Sequence, residues 1–91
     1  MSYFVYIVEC SDKTLYTGIA TDIKRRIDEH NLSDKGAKYT KTRRPVKLLY
    51  YEKLTNRSDA SKREYAIKKL SRDKKLQLIK KNKDLQPTSV S

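Results

Sequence analysis

Most apolar residues from Tyr3 to Tyr51 of this chain fall into three short blocks. This grouping is the strongest constraint on the fold that the chain can adopt. The blocks are Tyr3 to Val8, Leu15 to Ile19 and Val46 to Tyr51. Each has the length of a β-strand and is rich in aromatic and β-branched side chains. The turn-forming residues Ser11 to Lys13 separate the first two blocks and predict an antiparallel hairpin. The first block, the longest near the N-terminus, is too short for a signal peptide or a membrane span.

Charged segments with helical spacing follow the blocks, and each begins after a residue suited to an N-cap. The predicted caps and helices are Asp22 with Ile23 to about Asn31, Ser58 with Asp59 to about Leu70, and Ser71 with Arg72 to about Lys81. Residues 32–45 are predicted to form a loop. The order β-β-α-β-α-α predicts an α+β domain with a three-stranded antiparallel sheet flanked by helices. We expect one domain over residues 1–82 and a disordered tail over residues 83–91.

The charge of the chain indicates its class of partner. Twenty-two Lys and Arg residues oppose eleven Asp and Glu residues among 91, a formal net charge of +11. Such a surface attracts polyanions, and nucleic acid is the first candidate. A single cysteine, Cys10, excludes an internal disulfide and a thiolate metal site, and it suits a reducing, cytoplasmic setting. A single histidine, His30, excludes a multi-histidine metal cluster.

Several polar side chains occupy positions where the pattern predicts burial. Arg26 and His30 share a helical stripe with apolar residues, Glu64 lies on the apolar face of a later helix, and two tyrosines lie on the predicted hairpin. The candidate site residues are therefore Tyr6, Tyr16, Arg26, His30 and Glu64. Each could also have a purely structural role. Tyrosines often lie at the edge of a core, arginines extend to water and glutamates pair with nearby lysines. Together they suit metal-assisted phosphodiester hydrolysis.

The spacing of these residues resembles the motif pattern of the GIY-YIG nuclease superfamily. Phe4-Val5-Tyr6 and Tyr16-Thr17-Gly18 represent the two half-motifs, with a step of ten residues from the first tyrosine to the second. Arg26 follows the motif glycine by eight residues, His30 comes one helical turn later, and Glu64 precedes an Ile-Lys pair. The pattern is most similar to the small single-domain bacterial branch of YhbQ and YazA type, itself similar to Slx-type endonucleases. Phe4 replaces a motif glycine, and Ile19 stands where some relatives have a lysine.

The resemblance implies a role for each candidate residue. Glu64 would ligate Mg²⁺ or Mn²⁺, Arg26 would clamp the scissile phosphate, and Gly18 would be a structural motif residue. Tyr16 would be the general base and Tyr6 would bond the nucleophile or phosphate, although the two could exchange roles. His30 would orient a tyrosine or bond a phosphate oxygen. The predicted nucleic-acid contacts are Lys38, Tyr39, Lys41, Arg43 and Arg44, with Tyr39 available to stack on a base.

The resulting hypothesis is a structure-selective DNA endonuclease with a role in DNA repair or recombination. RNA is the alternative polymer, and neither a membrane nor an obligate protein partner is indicated. A rival hypothesis is a non-catalytic basic module that binds nucleic acid through charge alone. A third is an adapter that binds the ribosome or a protein partner through its basic C-terminal helices. The complete five-residue set favours the enzyme, since binding alone does not require it.

Overall fold

The structure, a computed structural model, describes residues 2–32 and 38–85. The side chains of residues 38, 39 and 82–85 lie outside the described part of the chain. Within the described ranges three strands form one antiparallel sheet, namely β1 (Tyr3–Glu9), β2 (Leu15–Ala20) and β3 (Lys47–Leu54), in the order β2-β1-β3. The predicted hairpin and the predicted α+β class are confirmed.

In the part of the chain that the structure describes, four helices accompany the sheet. They are α1 (Ile23–Leu32), α2 (Lys38–Lys41), α3 (Arg57–Lys68) and α4 (Arg72–Leu85). The caps predicted at Asp22 and Ser71 are confirmed, because each side-chain oxygen accepts a backbone N–H three residues later. Among the described residues, no helix combines the length and apolar character that a membrane crossing requires.

Three sequence-based boundaries differ from the structure. The single turn of α2 lies inside the segment predicted as a loop. Helix α3 begins before Asp59, because Asn56 rather than Ser58 is its N-cap and accepts the Asp59 N–H at 2.8 Å. Helix α4 continues past Lys81 to Leu85, so the first residues of the predicted tail are helical. Residues 86–91 lie outside the described part of the chain, and disorder there stays a prediction.

The helices pack on both sides of the sheet because the strand side chains alternate. Val5 and Ile7 form a core with Ala60 and Ile67 of α3 and with Ile79 of α4. We call this side the α3 face. The opposite side, the α1 face, carries Tyr6 and Val8 beneath α1. The central strand β1 therefore supplies both cores, and its alternate residues lie on different faces.

Candidate active site

The centre of the candidate site is the hydroxyl of Tyr6, which is held inside the α1 face. Tyr6 is 1% exposed, and its Oη lies 2.8 Å from His30 Nε2. His30 is fully buried, and its Nδ1 lies 2.8 Å from Thr40 Oγ1. A continuous hydrogen-bonded chain thus connects β1, α1 and α2 at this point.

Gly18 allows the Tyr6 ring to take this position. The two residues face each other across the β1–β2 ladder. A Cβ atom at position 18 would lie 2.5 Å from Tyr6 Oη and 2.7 Å from Cζ, closer than side chains approach. The phenol ring therefore lies directly over Gly18. Glycine is required at this position because a side chain would clash with the ring, and not because of its backbone conformation.

Both members of the Tyr6–His30 pair are neutral at pH 7, and burial moves each pKa further from that pH. Desolvation raises the pKa of Tyr6 to about 12, although the Arg26 guanidinium opposes this shift. Desolvation lowers the pKa of His30 to about 4, and the positive charges of Arg26 and Arg44 add to the effect. A neutral imidazole donates through one nitrogen and accepts through the other, so both His30 nitrogens can be satisfied by these two hydroxyls.

Tyr16 and Arg26 approach the same centre. Tyr16 lies on β2 opposite Val8, diagonal to Tyr6 on the same face. The imidazole of His30 packs edge-on against both phenol rings, with centroids 5.5 Å from Tyr16 and 5.9 Å from Tyr6. Tyr16 is half-buried, so its ring is more accessible than that of Tyr6.

Arg26 connects the tyrosine to a neighbouring carboxylate. Its guanidinium hydrogen-bonds Tyr6, and its Nη1 lies 3.0 Å from Glu29 Oε1. Burial alone would lower the pKa of Arg26, but these hydrogen bonds outweigh it and raise the pKa. The side chain is 27% exposed, so a group in solvent can reach it. Four of the five predicted residues are therefore brought together.

Glu64, the fifth, comes from the helix on the opposite face of the sheet. Its side chain is 25% exposed, and its carboxylate lies 3.5 Å from Lys68 Nζ one turn later. Its charge still reaches the centre, because it is among the causes that raise the pKa of Tyr6, after burial and Tyr16. Among the described residues, no three His, Cys, Asp or Glu side chains form a metal cluster. A lone accessible carboxylate suits Mg²⁺, which usually takes one or two carboxylates with phosphates and water.

The predicted nucleic-acid residues have mixed environments. Lys41 is exposed, and the side chains of Lys38 and Tyr39 lie outside the described residues. Arg43 Nε lies 3.0 Å from Asp12 Oδ2, and Arg44 Nε donates to the His30 carbonyl. Both arginines therefore also make contacts within the domain. The sequence did not indicate these contacts.

Two residues of this network were not predicted. Glu29 follows Arg25 and Arg26 at helical spacings of four and three, and that pairing pattern could have identified it. Thr40 carries no such signal, because only the tertiary position of α2 brings its hydroxyl to His30.

Comparison with known proteins identifies the family. Residues 2–77 match the family described as the GIY-YIG catalytic domain. The chain belongs to the GIY-YIG family. Membership implies nuclease activity on nucleic acid, and GIY-YIG nucleases generally use divalent metal ions.

Bacterial relatives of this GIY-YIG chain are named UPF0213 proteins. That of Desulfotalea psychrophila is 63% identical over 87% of this chain and 72% of its own length. That of Staphylococcus aureus is 58% identical over 87% of this chain and 95% of its own length. The solution structure of a Bacillus halodurans UPF0213 protein is 43% identical, with a TM-score of 0.60 over 98% of this chain and 92% of that one. These matches confirm the predicted resemblance and fold.

Proposed function

We propose that this GIY-YIG protein is a divalent-metal-dependent endonuclease that hydrolyses phosphodiester bonds in structured DNA, with a role in DNA repair or recombination. The observation that carries the proposal is the buried, neutral Tyr6–His30 pair, whose phenol hydroxyl is held against the Arg26 guanidinium. A core-edge tyrosine would need no buried imidazole as its partner. The excess positive charge of the chain supports a polyanionic substrate.

Arg26 would contact the scissile phosphate. It is partly exposed, and Glu29 and Tyr6 hold its guanidinium in one orientation. A positioned guanidinium stabilises the charge that develops on phosphate oxygens in the transition state. It also needs little reorganisation at the moment of reaction.

The two tyrosines would have different roles in the reaction. Tyr6 is almost completely buried and its pKa is raised to about 12, so it is a poor proton acceptor at neutral pH. We assign it the role of orienting the phosphate and Arg26. Tyr16, the more accessible ring, would take the proton from the attacking water in its deprotonated form. His30 has no exposed surface and would be a positioning residue that fixes Tyr6.

Glu64 would hold the metal ion, Mg²⁺ or Mn²⁺. It forms an ion pair with the half-exposed Lys68, which can release the carboxylate at little cost. When bound, the ion would supply positive charge at the phosphate and at the leaving oxygen. The structure-selective choice of DNA would come from backbone contacts of the basic surface, including Lys41, because phosphate contacts carry no sequence information. The buried, unpaired Cys10 suits a cytoplasmic setting.

A cleavage assay tests the proposal. The substrates are flaps, forks, four-way junctions, duplexes and single strands of DNA, with RNA counterparts, in Mg²⁺, Mn²⁺ or EDTA. We expect metal-dependent cleavage by the parent and loss of at least about a hundredfold in Glu64→Gln and Tyr16→Phe, with binding retained. The matched control is Glu9→Gln, which removes the same charge at the end of β1 and should cut normally.

Two outcomes contradict the proposal. Equal cleavage by the parent and by Glu64→Gln would show that the metal site lies elsewhere. Binding without cleavage of any substrate, with affinity that falls steeply with salt, would favour the rival non-catalytic binding module.

A further inference from the structure

A cavity lies beside the candidate active site, at the end of β2 where α1 and α3 come together around the sheet edge. It has a volume of about 340 Å³, and its lining includes three arginines: Arg25 and Arg26 from α1 and Arg57 from α3. We call it the arginine cavity. Its volume lies at the lower end of the range for small-molecule sites, about 300–1,000 Å³.

The charge of the arginine cavity favours an anion. Among the described residues of its lining, the carboxylates are Asp22 and Glu29, so the three guanidinium groups exceed them. Glu29 bridges the two arginines of α1, with Oε2 at 3.4 Å from Arg25 Nε and Oε1 at 3.0 Å from Arg26 Nη1. The hydrogen bond from Arg26 lowers the pKa of Glu29, which therefore stays charged and holds both arginines in place.

Arg57 supplies the uncompensated charge. It forms no ion pair with any described residue, and it is exposed on the first turn of α3. Arg57 and Glu64 are seven residues apart, so they share one stripe of α3 about 10 Å apart along its axis. Arg57 is thus on the metal-ligand side of its helix but two turns away from Glu64.

We propose that the arginine cavity is a second phosphate-binding position, in which Arg57 and Arg25 contact the phosphodiester next to the one that is cleaved. This inference rests on the proposed function, since Arg26 is the residue common to the catalytic centre and the cavity. Arg26 marks where the scissile phosphate lies, and the two further guanidinium groups continue the positive path along one strand. The substrate would therefore need a phosphate beside the cleaved bond.

The experiment combines a protein variant with a modified substrate. Binding of labelled single-stranded and flap oligonucleotides is measured by fluorescence anisotropy without divalent metal, for the parent, Arg57→Ala and Lys62→Ala. Lys62 is an exposed cation of the same helix outside the cavity lining, and its variant is the matched control. Each oligonucleotide carries one neutral methylphosphonate, moved one position at a time through the cleaved bond and its neighbours.

We expect Arg57→Ala to weaken binding about fivefold and to lower the log–log salt slope by about 0.7 to 0.9. A methylphosphonate at one neighbouring position should weaken binding by the parent by a similar factor. The same methylphosphonate should cause no further loss of affinity in Arg57→Ala. Lys62→Ala should remain sensitive to the methylphosphonate at that position.

The inference is overturned if a methylphosphonate at every neighbouring position weakens binding by Arg57→Ala as much as it weakens binding by the parent. It is also overturned if the methylphosphonate causes no further loss in Arg57→Ala only when it replaces the cleaved phosphate. Failure of the nuclease proposal looks different, because the parent then cuts nothing in metal. In that case the binding measurement still shows whether Arg57 contacts one particular phosphate of the oligonucleotide.

Discussion

Tyr6 and Tyr50 are both buried in the same sheet, on opposite faces, and burial raises the pKa of each hydroxyl to about 12. Their partners differ. The Tyr6 hydroxyl meets the neutral His30 and the cationic Arg26. The Tyr50 hydroxyl donates to Glu52, whose other oxygen accepts from Arg63 Nε at 2.7 Å.

These partners show which features separate a functional tyrosine from a structural one in this domain. Tyr50, Glu52 and Arg63 connect β3 to α3, and an acid and a base neutralise each other there. The network around Tyr6 contains a cation that also lines an open cavity. A strongly shifted pKa therefore identifies both tyrosines equally. Exposure of the neighbouring cation does not separate them either, since Arg63 is 39% exposed and Arg26 is 27% exposed. The neutral imidazole against Tyr6 and the cavity beside Arg26 distinguish the functional arrangement from the structural one.

The largest expected effect comes from Gly18→Ala. The new methyl group would lie 2.5 Å from the Tyr6 hydroxyl and force the ring away from His30 and Arg26. We expect cleavage to fall roughly a thousandfold, about 4 kcal/mol of transition-state stabilisation. The measurement is kcat/KM on the best substrate, together with a circular dichroism spectrum to show that the fold persists.

Thr17→Val is the control for this variant, because Thr17 is the adjacent residue and faces the other side of the sheet. It should retain cleavage. A folded Gly18→Ala protein that cuts normally would remove the distinction between the two tyrosines.

The next effect is the pH dependence that His30 gives to stability. The imidazole titrates near 6.5 when unfolded and near 4 when folded, so between these values the unfolded chain binds more protons. The free energy of unfolding should therefore fall by roughly 3 kcal/mol as pH drops from about 6.5 to about 4. Chemical denaturation at several pH values measures this, with His30→Gln as the comparison.

The variant retains the carboxylates whose lowered pKa values also affect acid stability, so the difference between the two proteins isolates the histidine. A parallel loss of stability in both proteins would show that the imidazole is not held neutral by burial.

A smaller effect separates the tyrosines directly. Tyr6→Phe removes a hydroxyl that contacts a charged group and should lower kcat/KM by roughly thirtyfold, about 2 kcal/mol. Tyr50→Phe should leave kcat/KM unchanged and lower the free energy of unfolding by about 1 kcal/mol. Cleavage kinetics and urea denaturation of both variants test the pair, and equal effects on cleavage would contradict the assignment.

Local patterns in the sequence predict most of this fold. The three apolar blocks gave the strands, and helical spacing placed Arg26 and His30 on the buried stripe of α1. The start of α3 was missed because Asn56 and Ser58 are both good caps, and spacing alone does not choose between them. The tertiary structure decides, since the Asn56 side chain both accepts the Asp59 N–H and donates to its carboxylate.

The site was predictable in its residues and less so in its arrangement. Periodicity shows that Glu64 is on the sheet-facing stripe of α3, but it does not say which face of the sheet α3 covers. Thr40 could not be predicted for a related reason. Its contact with His30 depends on the path of the chain after α1, which local sequence patterns do not define. Likewise, Arg44 appears in sequence as one more surface cation, while its bond to the His30 carbonyl follows from tertiary placement.

The smallest expected effect comes from Thr17→Val as a change in stability, and it tests the α3 face alone. Thr17 is 3% exposed on that face, and its Oγ1 has no hydrogen-bond partner among the residues that the structure describes. A buried hydroxyl without a partner is destabilising, and valine keeps the branched shape that a strand favours. We expect the free energy of unfolding to rise by up to about 1 kcal/mol in urea denaturation. A fall would mean that this hydroxyl is satisfied by bound water, and the α3 face would then share the polar character now assigned only to the surroundings of Tyr6.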